Sequence, residues 1–183
     1  MQSRLARHFL PAETIVLGFR LQPFTLWHWR TLSALESPVV GEGQVDLPDL
    51  LFAALLCSRP PFAPLPNLRG WRIRLRAALA RLRCDPLTEF AVLLEYLEHY
   101  KSGPFSLAAD NAPLIKTHPA LYLAAGLMRL GMGSRDAWCE TPGLARWVLA
   151  AAAEAEGREL VIVGEENVRV ARAAGYTDEE MGL

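Results

Sequence analysis

Four histidines, three cysteines and one run of arginines are the residues of this 183-residue chain whose types suggest chemistry. His8, His28, His99 and His118 stand far apart and neighbour no cysteine pair, so the close ligand spacing of a zinc site is missing. Cys57, Cys84 and Cys139 are odd in number and each adjoins apolar residues, a pattern that predicts buried free thiols in a reducing compartment. Tyr96, His99 and Tyr100 cluster, but without a poised nucleophile or paired carboxylates, so the rim of an interface is the expected role. Asp110, Asp136 and Glu140 lie near polar turns and form no spaced pair, and Asp136 is explained by capping. Gly131-Met132-Gly133-Ser134 lacks the preceding strand and the lysine of a phosphate-binding loop. No catalytic residue, metal or cofactor is expected, and the chain is not read as an enzyme.

The stretch best suited to phosphate contact is 69–83, which holds six arginines and no acid. Arg69, Arg72, Arg76 and Arg83 cluster at helical spacing, and Leu75, Ala78, Leu79 and Leu82 make the apolar face of a basic amphipathic helix that Trp71 extends. No Asn or Gln stands beside them to read bases. The formal charge is −1, and residues 140–183 carry nine acids against four arginines. Intramolecular or solvated charge, or an acidic protein partner, is preferred over nucleic acid.

The elements that would position such residues are mostly helices. Thr141 to Gly157 is the clearest, with Thr141 as cap, Pro142 in the first turn, Leu144, Trp147, Val148 and Ala151 at helical spacing, and Gly157 as stop. Before it, Met132 to Trp138 reads as a short capped turn, preceded by an apolar helix 119–130. Thr25 caps a helix that Ser37-Pro38 ends, with Leu26, Trp29, Leu32 and Leu35 as its apolar stripe, Trp27 on its flank and His28 in a structural or surface role. Residues 39–46 form an exposed loop. Pro48 or Asp49 opens a helix, 50–57, that is apolar on nearly all faces and belongs in the core or an assembly contact. Asp85-Pro86 restarts the chain as a helix to Lys101, with Phe90, Leu93, Leu94 and Leu97 inward. Residues 14–21, rich in β-branched and aromatic types, read as one strand, with Gly18 marking a bulge or close approach. Its expected partner is 160–163, the alternative being an edge contact between subunits.

The fold class expected is therefore mostly α: a compact domain of about six helices with a minor two-strand element, 14–21 with 160–163. One domain over 1–183 is expected, with a possible hinge in the proline-rich 60–67, a long loop over 102–117, a short helix over 164–175 and a frayed tail at 176–183. Hydrophobic residues make up 51% and charged residues 21%, which argues against disorder. No apolar run reaches the length of a membrane span, and Pro11 and Glu13 interrupt a leader-like start, so a cytoplasmic location is expected.

Two segments carry a family resemblance. In Phe19 to Pro38 a strand leads through Pro23 and Thr25 into a leucine-rich helix ending at Ser37-Pro38. In Gly131 to Ala151 a glycine turn, a short helix with Trp138, Pro142 and an alanine-rich helix follow one another. The first resembles the opening of small proteins encoded among bacteriophage and prophage structural genes, and the second resembles the closing unit of tail assembly chaperone-like proteins. The resemblance implies a cytoplasmic helical protein of a bacterial host, acting in tail morphogenesis without catalytic residues. It implies that a tape measure protein or tail tube subunits are the partner. Trp27, Trp29, Trp138 and Trp147 are carried over as the contact surface, with the arginines Arg69, Arg72, Arg76 and Arg83 as further protein-binding candidates. Two alternatives stay open: a permanent structural component of a phage-like particle, built as a homo-oligomer, and a nucleic-acid-binding protein using the arginine helix.

Overall fold

The computed structural model describes residues 13–41, 43–65, 75, 78–79, 85–103, 105–106, 117–157 and 162–163. Among them the chain forms six helices and two short antiparallel strand pairs, so the fold is mostly α as the periodicity predicts. The helices are α1 (Leu26–Ala34), α2 (Leu47–Cys57), α3 (Pro86–Lys101), α4 (Pro119–Arg129), α5 (Ser134–Cys139) and α6 (Pro142–Ala155).

Five of the six begin with a side chain capping a backbone N–H. Thr25 Oγ1 accepts from the His28 N–H, Asp46 from Asp49, Asp85 from Leu87 and Thr88, His118 from Ala120, and Thr141 from Leu144. Each cap satisfies a donor that the helix itself leaves unpaired. Four of the six also carry proline in the first turn, where the missing N–H breaks no hydrogen bond. Helix α5 is the exception to the capped turn expected there: Gly133 precedes it and supplies no side-chain cap.

Helix α1 closes through two reversed hydrogen bonds, Glu36 N–H to Ser33 C=O at 3.1 Å and Ser37 N–H to Leu32 C=O at 3.0 Å. This closure needs a left-handed residue, and Glu36 fills it at φ 53°. Gly131, at φ 93°, does the same after α4. Glutamate carries a Cβ penalty there that glycine does not. Glu36→Gly is expected to raise stability by about 0.5–1 kcal/mol, read from a shifted urea midpoint at unchanged slope.

Helix α2 lies in the core. Leu50, Leu51, Ala53, Ala54, Leu55, Leu56 and Cys57 are all buried. Around it the core gathers Phe24, Leu26 and Leu32 from the α1 region, Leu93 and Leu97 from α3, and Leu123 and Leu127 from α4. Helix α4 packs against α1, α5 and α6, and α6 also packs against α3. A side chain at Gly126 would collide with Leu149, at 2.8 Å, so α4 and α6 approach closely at this glycine. Burial departs from the expected stripes at Leu35, which is 47% exposed, and at Leu94, which faces outward. Val39 is buried within the loop expected to be exposed.

The pairing of 14–21 with 160–163 is corrected by the structure. Residues 14–21 fold back on themselves as a hairpin, β1 (Ile15–Val16) with β2 (Phe19–Arg20), in the register Ile15 to Arg20 and Val16 to Phe19. The reversal occurs at Leu17 and Gly18, both at positive φ (51° and 75°), the backbone of a tight two-residue hairpin turn. Gly18 is thus a turn residue rather than a bulge. The Leu17 N–H is held by Glu89 Oε2 on α3 at 2.6 Å, which anchors a turn that leucine alone disfavours. A two-residue turn closes at far less entropic cost than a loop spanning most of the chain, so β1 pairs locally. Residues Ile162–Val163 (β4) pair instead with Phe105–Ser106 (β3), which lie inside the segment expected to be a loop.

Candidate functional site

The four tryptophans predicted to form one contact surface occupy different environments. Trp29 is buried. Its ring meets the His118 ring edge-on at 5.6 Å between centroids, and the Lys101 amine lies 5.1 Å above it. It therefore serves the packing of α1 on α4 and is removed from the contact surface. Trp138 and Trp147 are half-buried; Trp138 packs against the core, and Trp147 Nε1 is enclosed with no acceptor among the described residues. Trp27 alone joins an outward-facing aromatic group.

That group forms where α1 meets the chain leaving α2. His28 Nδ1 accepts from the Thr25 N–H at 3.2 Å and lies 2.9 Å from Thr25 Oγ1, while Nε2 donates to the Arg59 carbonyl at 3.0 Å. One buried imidazole thus closes the cap of α1 and ties down the end of α2. Burial pushes its pKa down to about 4, although the Arg59 carbonyl favours the proton. His28 is neutral and structural.

Arg59 in turn donates from Nη1 to the Pro64 carbonyl at 2.8 Å, and Ala63 N–H reaches the Pro60 carbonyl. The proline-rich residues 60–64 therefore form a turn held against α1. At its tip Phe62 is 44% exposed and left-handed, with φ 64°. Its ring lies 5.8 Å from that of Trp27 on one side, and the Arg135 guanidinium of α5 sits 5.7 Å over it. Half-buried Trp27 and exposed Phe62 and Arg135 make a shelf from three separate segments. A bulky residue held in left-handed backbone at such a place is strain that the neighbouring hydrogen bonds must sustain.

A second arrangement lies where α3, α4 and α6 meet. Lys101, at the end of α3, holds its amine over Trp29 and, at 5.9 Å, over Phe24. Arg146 of α6 donates to the Lys101 carbonyl at 3.1 Å. Its stem presses on Gly103, where a Cβ would meet Arg146 Cδ at 2.8 Å. His118 gives its Nδ1 lone pair to the Ala120 N–H. Burial holds the Lys101 amine below its ordinary range, with the Arg146 charge adding to the shift and Glu98 opposing it. Burial lowers His118 as well, reinforced by the charges of Arg30 and Lys101.

Tyr96 and Tyr100 are buried, so the expected interface rim is instead an inner edge-to-face aromatic pair with ring centres 5.2 Å apart. Tyr96 Oη donates to the Gln22 carbonyl at 2.6 Å. Cys57 is buried and burial pushes its thiol up to about 12, whereas Cys139 is exposed, contrary to the expectation of three buried thiols. Cys84, Arg69, Arg72, Arg76 and Arg83 lie outside the described residues. Of the arginine segment's apolar face, Leu75, Ala78 and Leu79 are described, and all three are exposed. Among the described residues no cluster of His, Cys, Asp and Glu is arranged to hold a metal, and no helix is long and apolar enough to cross a membrane.

Phe62 and Arg135 had no signal in sequence beyond their types, because α5 and the 60–64 turn meet only in the fold. Lys101 carried a faint one: it is one of two lysines among nineteen basic residues. The chain matches no protein-family model, no curated protein and no solved structure.

Proposed function

We propose that this protein is a non-catalytic binding adaptor of the assembly-chaperone kind, and that it holds a helical partner on the Trp27–Phe62–Arg135 shelf. The observation that carries this reading is the shelf itself: an exposed phenyl ring, a half-buried indole and a guanidinium, gathered from three segments and kept in place against backbone strain. Tryptophan, aromatic rings and arginine are the usual anchors of protein interfaces, since they bury much surface at little entropic cost. The likeness of Phe19–Pro38 and Gly131–Ala151 to phage proteins supplies the context, a tail protein such as the tape measure protein, in a bacterial cytoplasm. Both segments border the shelf: Trp27 lies in the first and Arg135 in the second.

The test is direct binding of the purified full chain to the tape measure and tail tube proteins of its own phage or prophage. Phe62→Gly removes the ring and relieves the left-handed strain, so stability should hold or rise by about 0.5–1 kcal/mol. Affinity should fall at least about ten-fold, in the range of an interface anchor. No binding by the wild-type chain, or equal binding by Phe62→Gly and Trp27→Ala, would overturn the reading. Retention of the chain in finished particles at fixed stoichiometry would replace it with the structural-component alternative.

A further inference from the structure

We propose that Lys101, Arg146, His118 and Arg30 form a binding site for one small oxyanion of the phosphate class, lodged beside Trp29. Four elements converge there: α1, α3, the start of α4, and α6. Trp29 meets both the Lys101 amine, 5.1 Å from its ring centre, and the His118 ring, edge-on at 5.6 Å, which brings the amine and the imidazole to one ring. Arg146 is bound to the Lys101 carbonyl and braced on Gly103, so its guanidinium is set before any ligand arrives. Arg30 follows Trp29 on α1 and is half-buried.

The donors are unspent. His118 uses Nδ1 as an acceptor in capping α4, so in its neutral form the ring proton sits on Nε2, which has no partner among the described residues. The eleven-residue helix α4 starts at this histidine and adds the positive end of its dipole. Arg146 spends one N–H on the Lys101 carbonyl. Among the described residues the ion pair present is Arg20 with Glu13, far along the chain from this cluster. Glu98, one turn before Lys101, is exposed and makes no ion pair with it there.

Half-buried cations that make no ion pair among the described residues are held at an electrostatic cost and repel one another, a cost that the Glu98 charge offsets only in part at Lys101. Burial and mutual repulsion act in that direction on Lys101 and His118, and burial on Arg146. A bound anion would reverse both effects. A tetrahedral oxyanion suits the donor set better than a single-point anion. It offers several acceptor oxygens to an ammonium, a guanidinium fork and an imidazole N–H at once. The apolar wall of Trp29 and Phe24 limits water and so strengthens those contacts.

The experiment is NMR titration of the His118 ring in the full-length protein, with inorganic phosphate against chloride at matched ionic strength, and acetate as a carboxylate arm. Phosphate is expected to raise the His118 pKa and the melting temperature while chloride leaves both unchanged. Acetate acting as strongly as phosphate would overturn the phosphate class in favour of a carboxylate group. Lys101→Met should abolish the response to phosphate. If that variant does not fold, Arg30→Gln reads the same site and should weaken phosphate binding at least about three-fold. Equal effects of phosphate and chloride, or an undiminished response in either variant, would overturn the proposal.

Discussion

Phe24→Ala is expected to destabilise the protein by about 3–5 kcal/mol, the range for deleting a fully buried aromatic side chain. Phe24 is wholly enclosed at the point where the hairpin enters α1. Its ring stacks on His28 with 6.2 Å between centroids and meets Tyr96 edge-on at 6.1 Å. Lys101 places its amine over the same ring. The substitution therefore opens a cavity and uncovers a neutral histidine that depends on its dry surroundings. In a chain of 183 residues the loss should lower the melting temperature on the order of 10 °C. Phe24→Leu retains most of the volume and should cost about 1 kcal/mol. Urea denaturation of both variants checks the pair; a loss under 1 kcal/mol for alanine would mean that residue 24 is not the joint of the core.

The second large effect is acid lability through His28. In the folded chain its pKa is down at about 4, against 6.5 for the free side chain, and burial is the main cause. Between those values the unfolded chain binds a proton that the folded chain refuses, so stability rises with pH across that window. The contribution is complete above pH 6.5 and is lost progressively as pH falls toward 4, where it reaches about 3 kcal/mol. The geometry gives the loss a place. A proton on Nδ1 would confront the Thr25 N–H, which now donates to it, and break the α1 cap. His28→Gln can keep part of the cap but has no proton to take up. It should be less stable at pH 7 by about 1–2 kcal/mol, from the lost bond to Arg59 and the poorer fit. The difference between wild type and variant should vanish between about pH 5 and 6 and reverse below that, leaving the variant more stable by about 1–2 kcal/mol at pH 4. A constant difference would show that His28 does not titrate in that window.

The sequence by itself determined most of the helical framework, because its signals are local. Thr25, Asp85 and Thr141 cap the helices they were expected to start, and Gly131 and Gly157 sit at positive φ where helices stop. The apolar run Leu50–Cys57 fixed the burial of α2 in the same way, since no face of it is fit for water. Pairing and site geometry were not readable. Residues 14–21 have the composition of one strand, and whether they extend or fold back turns on two left-handed residues, one of them a leucine held by Glu89 from seventy-two positions away. Likewise the residues judged by type alone changed role with their surroundings. Trp29 became a packing residue because α4 and Lys101 cover it, and Tyr96 and Tyr100 turned inward. Phe62, Arg135, Lys101 and Arg146 acquired theirs from neighbours in other segments. Capping and periodicity act over one or two turns of chain and are written in its order. Exposure, counter-charge and the company of a ring depend on segments that meet only once the core has closed, and those the tertiary structure alone decided.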